Sequence, residues 1–126
     1  MKLLRVLIAD DEALLRLDLR EMLEEAGHTV VGEAENGKIA LELAGKEKPD
    51  LVIMDVKMPV MDGLEASRAI RESSHSDAKS IPIVALTANA FDEDVQRSMQ
   101  AGLNAHLSKP IEPDLLFATL QELIKA

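Results

Sequence analysis

The sequence predicts an α/β fold, a doubly wound parallel sheet of five strands with helices on both faces. Two observations carry that expectation: short apolar runs recur along the chain, and segments of helical spacing separate them. A third supports it, since no repeat, low-complexity stretch or long linker interrupts the series. At 126 residues the chain makes one domain, 1–126, long enough for one substantial core.

The strand candidates are 3–9, 29–34, 50–54, 81–86 and, more weakly, 105–107. Most are continuously apolar rather than alternating, as strands covered on both faces should be. Leu15, Leu19, Met22, Leu23 and Ala26 mark the buried face of a first helix, which Gly27 stops. Ile39, Ala40 and Leu43 mark a second, ending near Gly45 and Pro49. Leu64, Ala66, Ala69 and Ile70 mark a third, started by Asp62 and Gly63. Val95, Met99 and Leu103 mark a fourth. Leu115, Leu116, Leu120, Leu123 and Ile124 mark a fifth, opened by Pro113 and Asp114. Such alternation gives right-handed βαβ units. Residues 73–80 form a polar loop before the fourth strand.

Composition excludes several functions. The apolar share of 47% and charged share of 29% are those of an ordinary globular protein. Without cysteine there is no disulfide, thiolate metal site or cysteine nucleophile. The start of the chain lacks signal-peptide architecture and no apolar run could span a bilayer, so a cytoplasmic domain is expected. A net charge of −9 opposes sequence-independent nucleic-acid binding, which needs a basic surface.

In open parallel sheets, ligands bind beyond the carboxyl ends of the strands. Asp10, Asp11 and Glu12 follow the first strand, Asp55 the third, Thr87 the fourth and Lys109-Pro110 the fifth. Crowded carboxylates raise one another's pKa unless positive charge sits among them. Strand ends are wet, and Asp10-Asp11 alone signifies little. The pair together with Asp55, closing an apolar strand, and a lysine on another strand calls for a hard divalent cation; Mg²⁺ suits oxygen ligands and retained waters.

The segments 6–12, 50–63, 83–88 and 107–110, with Asp10-Asp11, Asp55, Thr87-Ala88 and Lys109-Pro110 in order, closely resemble the bacterial response-regulator receiver family. The resemblance covers essentially the whole chain and implies a flavodoxin-like sheet of order 2-1-3-4-5. It implies a phosphorylation-dependent switch of a two-component phosphorelay, in which Asp55 accepts the phosphoryl group. Asp11 would ligate Mg²⁺ directly and Asp10 through water, with Asp55 and the main-chain carbonyl of Lys57 as further ligands. Lys109 would pair with a phosphoryl oxygen, and Thr87 would hydrogen-bond the group once it arrives. A cis Lys109–Pro110 bond would aim the lysine into the site.

The same resemblance makes His106 the switch residue, three before Lys109, where Tyr or Phe is commoner; an arbitrary strand-end histidine would have no role. Lys57 and Asn89 occupy positions that tune phosphoryl lifetime. The expected phosphodonor is a histidine kinase or histidine phosphotransfer protein. The output is read from the fourth helix, fifth strand and fifth helix, a face through which many family members form homodimers. Leu14 and Leu17 pack under a loop or dock the donor. His28 reads as a turn residue and His75 as a loop residue. Through Asp55 the chain is most similar to receivers of antiterminator-type regulators, and from Met58 onward to those of hybrid kinases. Family mixing and a recombined or engineered origin both account for that difference.

Other readings fit less well. A flavin site would want a hydroxyl- and glycine-rich first loop and stacking aromatics, but Trp and Tyr are absent. A haloacid-dehalogenase-type phosphatase needs an acid two residues after its nucleophile, where Lys57 stands. No glycine-rich nucleotide loop is present. The chain therefore reads as a switch that catalyses only its own phosphorylation and dephosphorylation, not as an enzyme.

Overall fold

The computed structural model of the chain describes residues 3–73, 80–88 and 102–124. Five strands, β1 (Arg5–Ala9), β2 (Thr29–Ala34), β3 (Leu51–Asp55), β4 (Ile83–Thr87) and β5 (Ala105–Ser108), form one sheet. All pairs are parallel, in the order β2-β1-β3-β4-β5. The described helices are α1 (Ala13–Glu25), α2 (Gly37–Glu47), α3 (Gly63–Glu72) and the C-terminal α4 (Pro113–Leu123).

Why the strand sequences are continuously apolar is visible in the two cores. Leu7, Val52, Met54 and Ile83 pack with Ala40, Leu64 and Ile70 from α2 and α3. The intervening Val6, Ile8, Ile53 and Val84 point the other way, onto Leu19 and Leu23 of α1 and Leu116 and Leu120 of α4. Period-two side-chain alternation thus serves two apolar layers, leaving no polar face.

Local boundaries mostly follow the expected signals. Gly27 ends α1 with φ +94. Asp62 caps α3 in a reciprocal capping box with Glu65. α2 ends at Glu47, between Gly45 and Pro49 as expected, with Lys48 rather than Gly45 in the left-handed cap conformation. Leu115 is exposed rather than core, because α4 presents Leu116 and Leu120 to the sheet. Leu103 lies in the approach to β5, buried against the α2–α3 layer, and not in a helix. The other markers of the fourth helix, Val95 and Met99, fall outside the described residues, as do His75 and Asn89.

Candidate functional site

The strand register assembles the site. Ala9 pairs with Met54, Asp55 with Leu86, and Thr87 with Ser108. The residues that follow or close β1, β3, β4 and β5 therefore emerge along one carboxyl edge.

Asp10 is the most constrained of them. It is fully buried, and its N–H continues the β1–β2 ladder by donating to the Ala34 carbonyl at 2.9 Å. Oδ1 accepts the Glu12 N–H at 2.8 Å. Oδ2 is buried without a hydrogen bond among the described residues and faces Lys109 Nζ across 3.2 Å. Burial, reinforced by the charge of Asp55, pushes the Asp10 pKa up to about 6 despite the Glu12 N–H and Lys109.

Asp55 closes β3 and is 6% exposed. Oδ1 accepts from the Lys57 N–H at 3.2 Å and Oδ2 from Lys109 Nζ at 2.9 Å. Asp11 is exposed beside them. One carboxylate oxygen from each of Asp10, Asp11 and Asp55 lies within 4.8 Å of the others. Three converging carboxylate oxygens, at an edge where Asp10 Oδ2 is buried without a hydrogen bond among the described residues, fit a hard divalent cation of the Mg²⁺ class.

Lys109 centres the cluster. Burial opposes its charge, but the hydrogen bond and charge of Asp55, joined by Asp10, outweigh it and hold the ammonium above its ordinary pKa. Glu12 lies 3.7 Å from the same nitrogen; the sequence placed this acid at the edge but gave it no role. The Lys109–Pro110 bond is cis, as the resemblance implied. Thr87 ends β4 with its hydroxyl buried and without a hydrogen bond among the described residues. Its carbonyl accepts the Lys109 N–H at 2.9 Å.

His106 stands exposed on β5, opposite Ala85. His28 directly follows the turn after α1, but it is buried, and its Nδ1 accepts the Leu4 N–H at 3.0 Å. Leu14 and Leu17 are not covered by a loop; they are 77% and 48% exposed on α1.

Two contacts escaped sequence reading. Gly63 lies so close to β3 that a Cβ there would sit 2.1 Å from the Asp55 carbonyl oxygen. Any side chain would drive α3 off the strand end that carries Asp55. The signal was present in Asp62-Gly63, but it read only as a helix start. Arg16 of α1 donates from Nη1 to the Asp10 carbonyl at 2.5 Å, and nothing in its spacing announces that contact.

Comparison with known proteins identifies the family and the fold. The response regulator receiver domain family matches residues 6–121. The transcriptional regulatory protein PdtaR of Mycobacterium tuberculosis is 53% identical over 106 residues, which are 84% of this chain and 49% of PdtaR. The chain thus spans about half the length of that relative. Protein PilH of Pseudomonas aeruginosa is 34% identical over 95% of this chain and 97% of its own length. Among solved structures, the receiver domain of the sensor histidine kinase PA1611 of Pseudomonas aeruginosa superposes with a TM-score of 0.89 at 32% identity. The superposition covers 99% of this chain and 100% of that one, whose active-site cleft coordinates a magnesium ion. The chemotaxis protein CheY4 of Vibrio cholerae gives 0.88 at 36% identity over 98% of this chain and 100% of its own. Sheet order, acidic edge and family match converge: the chain belongs to the response regulator receiver family of two-component signalling.

Proposed function

We propose that residues 1–126 act as one phosphorylatable switch domain, with Asp55 as acceptor. The carrying observation is the contact of Lys109 Nζ with Asp55 at 2.9 Å and Asp10 at 3.2 Å, inside a three-carboxylate cluster. An oxygen of the Asp55 carboxylate attacks phosphorus, and the bond from phosphorus to the donor breaks. The electron pair leaves with the donor, a histidine imidazole or acetate, and an acyl phosphate remains on Asp55.

Asp10, Asp11, Asp55 and the Lys57 carbonyl would hold Mg²⁺, with Asp10 acting through water. The cation would offset charge between carboxylate and phosphoryl oxygens. Lys109 would keep a positive charge on the acceptor and then pair with a phosphoryl oxygen. Thr87 offers a hydroxyl that no described group already occupies. Lys57 and Asn89 would tune hydrolysis of the acyl phosphate.

His106 starts from an exposed position, as a residue that turns inward on phosphorylation must. The output would be read around β5, α4 and the helix expected before β5, biasing a pre-existing equilibrium. That face would also serve any homodimer. The donor would be a cytoplasmic histidine kinase or histidine phosphotransfer protein, for which exposed Leu14 and Leu17 offer an apolar landing on α1. No described helix is long and apolar enough to cross a membrane. The net charge of −9 argues against direct nucleic-acid binding. The domain would transform only its own acceptor, so it would not be an enzyme with separate turnover.

The test is intact-protein mass after incubation with acetyl phosphate, with and without Mg²⁺, for the wild type and Asp55→Asn. One phosphoryl increment, dependent on Mg²⁺ and absent from the variant, is expected. No increment in a protein that still binds Mg²⁺ would make the chain a binding scaffold with a receiver fold.

A further inference from the structure

We infer that Arg16 is a positioning residue for Asp11, acting through the peptide group between Asp10 and Asp11. This inference rests on the functional reading above. Arg16 is the fourth residue of α1, about one turn into the helix, yet its guanidinium folds back. Nη1 donates to the Asp10 carbonyl at 2.5 Å while Nε donates to Glu33 Oε1 at 3.1 Å.

The carbonyl matters because a peptide group is planar. Holding the Asp10 oxygen in place sets the plane that also contains the Asp11 nitrogen and Cα. Asp10 has further restraints of its own, from Ala34, Glu12 and burial. Asp11 is exposed, and no side-chain hydrogen bond or ion pair holds it among the described residues. The direction in which its carboxylate leaves the chain therefore depends on its two flanking peptide planes, one held by Arg16 and the other by the Glu12 N–H on Asp10 Oδ1.

Charge arrangement supports the same role. An arginine so close to acids would ordinarily pair with their carboxylates and compete with a cation. Glu33 prevents this by taking the Arg16 charge, and it is itself shared with Arg20. Arg20 also meets Glu24 at 3.5 Å. Two arginines and two glutamates thus form a neutral set, from which Arg16 offers a directed donor to the backbone. A planar guanidinium can serve Glu33 and the carbonyl together; an ammonium cannot hold both in one plane.

The test compares Arg16→Ala, Arg16→Lys and Arg20→Ala, using calorimetric Mg²⁺ titration because the chain has no Trp or Tyr to report binding. Thermal melts are run beside it. Both alanine variants lose a Glu33 ion pair and should melt similarly below the wild type. Arg16→Ala should weaken Mg²⁺ binding about 10-fold, as loss of an outer-shell partner does. Arg16→Lys should fall between it and the wild type, and Arg20→Ala should stay within about two-fold. Equal Mg²⁺ affinity in Arg16→Ala and wild type, or equal losses in Arg16→Ala and Arg20→Ala, would overturn the inference. A wild-type protein that binds no Mg²⁺ would overturn the functional reading itself, an outcome visible without any variant.

Discussion

The two ends of the sheet solve opposite problems. At the amino ends most polar groups find partners, His28 Nε2 being the buried exception among the described residues. Arg5 and Asp50 exchange N–H···O bonds, with Asp50 Oδ2 accepting the Arg5 N–H at 2.9 Å and the Arg5 carbonyl accepting the Asp50 N–H at 2.7 Å. Arg71 reaches from α3 to the carbonyls of Ile81 and Gly102, each at 2.7 Å, and to Asn104 Oδ1 at 2.9 Å. At the carboxyl ends, Asp10 Oδ2 and the Thr87 hydroxyl are buried without hydrogen bonds among the described residues. Satisfied polar groups hold the fold together; unsatisfied ones cost stability and stay ready for a ligand. The lesson is that one sheet can carry a dense hydrogen-bond network at one end and a charged, partly unpaired cluster at the other.

The largest effect should come from the amino end. Arg71→Ala strips hydrogen bonds from two carbonyls and Asn104, and should cost about 3 kcal/mol in urea unfolding. Mg²⁺ affinity should barely change. A loss comparable to a surface substitution would break the contrast between the ends.

Asp10→Asn should do the reverse and stabilise the metal-free protein at pH 7 by up to about 3 kcal/mol, since each pKa unit is worth about 1.4 kcal/mol. The sign follows from a folded-state pKa raised from 3.8 to about 6. Protonation of Asp10 favours the fold: its contribution is fully present below about 4 and is lost as pH rises through about 6. The advantage of the variant should therefore shrink as pH falls from 7 to 4. The same variant should lose Mg²⁺ binding. An advantage that grew on acidification would mean that Asp10 is not held against its charge.

Thr87→Val should stabilise by about 1 kcal/mol, because it replaces an unpaired buried hydroxyl with a methyl group. Acyl phosphate should still form, while the phosphorylation-linked chemical-shift changes around β5 should be lost. Destabilisation would place a hydrogen-bond partner on that hydroxyl and sink its readiness for a ligand.

The smallest effect separates the ends by acid response. His28 accepts the Leu4 N–H at Nδ1, which requires neutral imidazole, and burial lowers its pKa below 6.5. Its contribution is present above pH 6.5 and is lost as pH falls through the folded-state pKa, opposite in sign to Asp10. In an Asp10→Asn background, urea midpoints should drop modestly on mild acidification, and less so with His28→Gln added. Identical slopes would remove His28 from the comparison.

Much of this architecture is written locally. Apolar runs identify the strands because both faces are covered, and a parallel sheet sends every following residue to one edge. Asp10, Asp11, Asp55, Thr87 and Lys109 were therefore legible as strand-end residues, before any distance between them was known. The Asp62 cap and the Gly27 stop are likewise short-range chemistry. Other features were not legible. Gly45 is the residue type of a helix stop, but Lys48, three residues on, takes the left-handed cap conformation. Leu115 has the right spacing for the core and the wrong facing, which only the seat of α4 on the sheet decides.

The sequence alone determined the layers, the edge that gathers the acids, and the residue types that can hold a cation, because periodicity and strand ends are local properties. Tertiary structure decided which groups are unsatisfied, which charge is raised, and which contacts set direction. Arg16 meets the Asp10 carbonyl, Gly63 meets β3, and Arg71 meets Gly102 only after helices dock on the sheet. Burial and close approach depend on elements far apart in the chain, and no spacing rule carries them.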